Sequence, residues 1–158
     1  MENWRQYLAE GEVKFQGILK TTPTEVMEQL RKLVQDLPDD TVSLPEDKWH
    51  VTLIHQSILK PYRKQLKSMQ KAGELPPAPE AVIDEDRGVV MRSDEENGRK
   101  SWVVYLENQE EMQEYVNQLM QQLGGQPKPE KREFHISLAN LTGNPFDSVR
   151  WMRNWMRK

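Results

Sequence analysis

Apolar residues recur at helical spacing in two stretches of the chain. Val26, Met27, Leu30, Leu33, Val34 and Leu37 form the first stripe, closed by Pro38, and Met112, Tyr115, Val116, Leu119, Met120 and Leu123 form the second, closed by Gly124-Gly125. Steps of three and four residues put each set on one face of a helix. Ahead of the first stripe, Thr22-Pro23-Thr24-Glu25 predicts a helix start with Thr22 as the cap, Pro23 at the first helical position and Glu25 reaching back to the cap. Ahead of the second, Asn108 is the predicted cap and Glu111 the third helical residue.

The flanks of the two helices match. Lys14 to Leu19 and Ser101 to Leu106 read as strands before them, and His50-Val51-Thr52-Leu53 and His135-Ile136-Ser137-Leu138 read as strands after them. From cap to histidine is 28 residues in the first unit and 27 in the second, an aromatic residue precedes each histidine (Trp49, Phe134), and a Pro-Glu pair stands upstream (Pro45-Glu46, Pro129-Glu130). Cap, stripe, gap and tetrapeptide recurring together predict an internal two-fold repeat of a strand–helix–strand unit. Outside the repeat, Trp4, Tyr7 and Leu8 share one face of a short N-terminal helix ending near Gly11. Lys60 to Lys71 carries five Lys or Arg and is read as a helix, and Pro76-Pro77 lies in the loop that follows. Ala81 to Arg92 and Ser101 to Leu106 form a hairpin around Asp94 to Gly98. Trp151, Met152, Trp155 and Met156 make the apolar face of a C-terminal helix.

Composition narrows the class. The chain has 158 residues and no cysteine, so one domain without disulfides, thiolate chemistry or Cys-ligated metal is expected, in a reducing, cytoplasmic setting. Met1 to Gln6 lacks the apolar core of a signal peptide, and no apolar run approaches the roughly 20 residues that span a bilayer. With 22 Lys and Arg against 25 Asp and Glu, the net charge of −3 argues against a protein that coats long nucleic acid. A small anionic ligand held by a local patch remains compatible.

On a strand, residues two apart point to one side, so His50 shares a face with Thr52 and His135 with Ser137, while Val51, Leu53, Ile136 and Leu138 face the helices. If the repeats face each other, two imidazoles and two hydroxyls meet in one cleft. That set suits phosphodiester cleavage: one neutral His takes a proton, one charged His gives a proton, and the hydroxyls hold non-bridging oxygens. No metal or cofactor is needed for it, and neither strand offers a further ligand at the neighbouring position on its face. His55, five residues past His50, is read as structural. A binding module that holds a nucleotide without turnover is the rival class.

Paired His-x-Thr/Ser motifs, intact as His50/Thr52 and His135/Ser137, on two related units spanning roughly Lys14 to Leu141 resemble the 2H phosphoesterase superfamily. The resemblance implies catalytic roles for those four residues, with the histidines as acid and base and the hydroxyls on phosphate. It also implies an α+β, bilobal fold in which two antiparallel sheets line a central groove with helices outside. Lobe one would cover about 14–60 and lobe two about 100–142 of a single domain over 1–158. Within the superfamily, small size and the run Tyr7-Leu8-Ala9-Glu10-Gly11 leading to Phe15-Gln16-Gly17 are similar to the phage anti-CBASS phosphodiesterases. This implies hydrolysis of 3′–5′ bonds in cyclic di- and trinucleotide messengers, in the cytoplasm of a phage's host. Its alternative is a 2′,3′-cyclic or 2′–5′ phosphodiesterase acting on RNA or nucleotides, with the Lys60 to Lys71 stretch steering RNA. Tyr7 and Trp102 are the candidate base platforms, and a small cyclic oligonucleotide, with neither a membrane nor a stable long nucleic acid, is the expected partner.

Overall fold

The computed structural model describes residues 12–125 and 133–149. The N-terminal run with Tyr7, the Pro129-Glu130 pair and the C-terminal run with Trp151 and Trp155, for which a helix is expected, lie outside the described residues. The run read as one strand over Lys14 to Leu19 is broken by Gly17, whose φ of 82° belongs to a tight turn that residues with a Cβ rarely adopt. It becomes a hairpin of β1 (Val13–Gln16) and β2 (Ile18–Thr21).

Among the described residues the remaining pattern gives four α-helices and five further strands. Helix α1 (Met27–Gln35) carries the first stripe, and β3 (Val42–Ser43) and β4 (Val51–Ile54) follow it. The single-turn α2 (Gln56–Leu59) and the helix α3 (Arg63–Lys71) come next, then the hairpin β5 (Val89–Asp94) and β6 (Arg99–Tyr105). Helix α4 (Gln109–Gln122) and β7 (His135–Asn140) complete the order of elements. Among the described residues no helix is long and apolar enough to cross a membrane.

The architecture is mixed α+β, with one antiparallel sheet in the order β1-β2-β4-β7-β6-β5. Two separate sheets had been expected. They are joined because β4, which follows α1, pairs with β7, which follows α4, through Val51 and Ile136. Both residues are fully buried, and pairing also covers two strand edges that would otherwise stand open. Farther along β7, β3 takes over the same edge through Val42 with Asn140 and Ser43 with Ala139.

The core lies on one face of this sheet. Leu30 of α1, Leu66 and Met69 of α3, and Met112, Leu119 and Met120 of α4 join Val51, Leu53, Val104, Ile136 and Leu138 in one apolar cluster. Helix α1 packs on β7 and α4 on β4, so each helix reaches the strand that follows the other helix. The predicted caps are only partly kept. Helix α1 starts at Met27 rather than at Pro23, and the free amides of Thr24 and Glu25 donate to Glu80 Oε1 at 2.8 and 2.9 Å instead of being served by Thr22. Asn108 does precede α4, and its side-chain amide donates to Glu111 Oε1 and to the Glu80 carbonyl. Glu80, at the end of the Pro-rich loop, therefore ties together the N-terminal ends of both helices.

Candidate functional site

The pairing of Val51 with Ile136 decides where the four predicted residues go. In an antiparallel pair their neighbours are also opposed, which sets His50 opposite Ser137 and Thr52 opposite His135. All four alternate with residues of the core, so they share the face of the sheet that points away from it, and all are half-buried. Directly opposed residues have Cβ atoms about 4.5–5.5 Å apart and diagonal ones about 7–8 Å, which is the relation of His50 to His135. The sheet thus gathers two imidazoles and two hydroxyls side by side in adjacent strands, rather than across a cleft between facing lobes.

Both imidazoles are held in the same way. His50 Nδ1 lies 2.7 Å from the Lys48 carbonyl and His135 Nδ1 lies 3.1 Å from the Glu133 carbonyl, in each case two residues back along the chain. A carbonyl can only accept, so Nδ1 carries the hydrogen and donates it. In the neutral ring the basic lone pair then belongs to Nε2. Trp49 and Phe134, between each histidine and its anchor, are buried in the core and fix the strands' entry. The Trp49 indole also donates to the Leu138 carbonyl of β7 at 3.3 Å.

The electrostatic surroundings of His50 disfavour its charged form. Burial is the main cause and holds its pKa below the usual imidazole value, with the ammonium groups of Lys20 and Lys48 acting in the same direction against the opposing hydrogen bond to the Lys48 carbonyl. Lys20 of β2 stands directly opposite Thr52 and is half-buried, and Lys14 of β1 stands opposite Lys20. The Lys20 pKa is itself lowered, by burial first and then by Lys48 and Lys14, with Asp47 acting the other way.

On the other flank, Tyr105 of β6 stands opposite His135, with ring centroids 6.1 Å apart. The Arg87 guanidinium lies 3.7 Å over the Tyr105 ring, and Arg92 Nε donates to the Tyr105 hydroxyl at 2.6 Å. Arg87 also pairs with the Glu133 side chain, and it is the Glu133 carbonyl that anchors His135. One row across the sheet thus reads Lys14, Lys20, Thr52, His135, Tyr105.

Of the predicted residues, His50, Thr52, His135 and Ser137 come together. Trp102 sits on β6 opposite Ala139, next to an irregularity in register between Trp102 and Val103, and at 7% exposure offers little open ring surface. Tyr7 lies outside the described residues. His55 follows β4, and its carbonyl accepts the Leu59 amide at the start of α2. Lys20, Tyr105, Arg87 and Arg92 were not singled out from sequence. Lys20 was in principle visible, as a polar residue between the inward positions Leu19 and Thr21, whereas Arg87 lies in a loop and has no local signal. Among the described residues no three His, Asp or Glu side chains gather as a metal-ligand set. Comparison with family models, curated proteins and solved structures gives no match to the chain.

Proposed function

We propose that the protein is a phosphodiesterase with two-histidine general acid–base catalysis, acting without a metal on the 3′–5′ bonds of cyclic di- or trinucleotide second messengers. The observation that carries this is the matched pair of imidazoles, each anchored through Nδ1 to a carbonyl two residues back, on adjacent strands with a hydroxyl opposite each. In this scheme the two strand–helix–strand units are related by a pseudo-two-fold axis between Val51 and Ile136, and the site lies on that axis. A phage protein that lowers the level of a host's antiviral cyclic nucleotide is the biological setting it fits.

His50 acts as the base. Burial and the nearby Lys20 and Lys48 favour its neutral ring, so Nε2 takes the proton from the attacking oxygen, either water or the adjacent ribose 2′-hydroxyl. The new P–O bond forms as the bond to the 5′-oxygen breaks, and His135, as imidazolium, delivers its Nε2 proton to that leaving oxygen. Thr52 and Ser137 donate to the non-bridging oxygens as negative charge grows there. His50 finishes charged and His135 neutral, and exchange with solvent resets both.

The test is incubation of the protein with cyclic di- and trinucleotides, 2′,3′-cyclic mononucleotides and 2′–5′ oligoadenylate, read by mass spectrometry. Linear products from the cyclic dinucleotides are expected. Opening of 2′,3′-cyclic ends alone would move the substrate to RNA termini, and tight retention of an intact ligand would make the protein a binding module. Substrates lacking the 2′-hydroxyl separate the two nucleophiles, since they survive only if that hydroxyl attacks.

A further inference from the structure

The cationic row continues past the four residues that hold the reacting phosphate. Thr52 is followed by Lys20 on β2 and then by Lys14 on β1, a further two strands or about 10 Å of sheet. By register Lys14 and Lys20 share the face of Thr52, and Lys48 lies close enough to disfavour the charged forms of both Lys20 and His50. Among the described residues, none of these three lysines forms an ion pair. Like charges gathered this closely repel one another, and one carboxylate, Asp47, offsets the repulsion only in part. An anion with more than one negative charge relieves that repulsion on binding.

We propose that Lys20 and Lys14 form a subsite for a second phosphate, one nucleotide away from the phosphate held by His50, Thr52, His135 and Ser137. This rests on the phosphodiester reading above and adds a requirement to it: the preferred substrate carries two phosphates in one compact molecule. The symmetry-equivalent position on the opposite flank is not cationic: Val103, which stands opposite Ser137 as Lys20 stands opposite Thr52, is apolar and buried, and on that side the Arg87 and Arg92 guanidiniums are engaged with Tyr105 and Glu133.

The experiment compares 3′,3′-cyclic di-AMP with 2′,3′-cyclic AMP as substrates for the full chain, its Lys20→Gln and Lys14→Gln variants, and Lys20→Arg. The Lys20→Gln change is expected to lower kcat/KM for the dinucleotide about tenfold more than for the mononucleotide, chiefly through KM, as loss of a charged contact to phosphate does. Lys14→Gln is expected to act in the same direction more weakly, and Lys20→Arg to restore the preference. Equal losses on both substrates would overturn the subsite by making Lys20 a ligand of the reacting phosphate, and no change on either would overturn it as well. If the wild type cleaves neither compound, the hydrolase reading falls, and calorimetric titration with the same two compounds reads the subsite alone. Dinucleotide affinity that exceeds the mononucleotide's and weakens with Lys20→Gln supports it. Affinity indifferent to that change, or no dinucleotide binding at all, overturns it.

Discussion

Val51 of β4 and Ile136 of β7 meet as an antiparallel pair, both without exposed surface, and this contact fuses the two halves of the sheet. It buries apolar surface on the helix side and lines up His50, Thr52, His135 and Ser137 on the other. Stability and site geometry therefore depend on the same two residues.

Ile136→Ala is expected to destabilise the fold by about 2–5 kcal/mol, through lost burial and the cavity left under α1 and α4. Urea unfolding gives the number. Because the truncated side chain faces away from the histidines, activity lost at temperatures where the variant is folded would reflect a shift of β4 against β7.

Removal of the hydroxyls tests their assigned part. Thr52→Val keeps the shape and is expected to lower kcat by about 10²–10³, the usual cost of losing one donor to developing charge, and Ser137→Ala to do the same. Thr52→Ser should recover most of it. Steady-state kinetics at saturating substrate separates this from weakened binding.

The depressed pKa of His50 has a sign that can be measured. Its proton is bound less tightly in the folded chain than in the unfolded one, so the unfolded state takes up protons first as pH falls. Stability contributed by this site is present above the unfolded value near 6.5 and is lost as pH falls from there through the folded pKa. Activity that needs neutral His50 follows the same group, and the acid limb of the rate profile should lie below pH 6.5. NMR titration of the His50 ring gives the midpoint, and His50→Gln should remove that limb together with most of the activity.

Glu80 holds both helix starts. Glu80→Ala frees the amides of Thr24 and Glu25 and the Thr24 hydroxyl, while the Glu80 carbonyl still accepts from Asn108, at an expected cost of about 1–2 kcal/mol. Thermal unfolding checks it, and Glu80→Gln should recover part of the loss because its amide oxygen still accepts.

The tetrapeptides were legible because alternation is local: Val51 and Ile136 could be assigned to the core, and His50, Thr52, His135 and Ser137 to the opposite face, from the order of residues alone. The helices around Leu30 and Leu119 were legible for the same reason. The edge-to-edge joining of β4 and β7 was not, since two strands with one apolar face each can pack face to face or pair in one sheet, and only tertiary contacts decide. Nor could sequence show that Glu80, more than fifty residues from Thr24, replaces Thr22 as the cap. Tyr105 was hidden because its alternation resembles that of a core residue, and its place beside His135 depends on the register of β6 with β7.

The most direct measurement is turnover of a cyclic dinucleotide by EDTA-treated protein, compared among the wild type, His50→Ala, His135→Ala and the double variant at one pH. Acid and base working on one phosphate act as a unit, so each single change should lower the rate by about 10²–10⁴ and the double change should cost little more than either alone. Undiminished turnover in either single variant, or none in the wild type, would rule out paired histidine catalysis at this site.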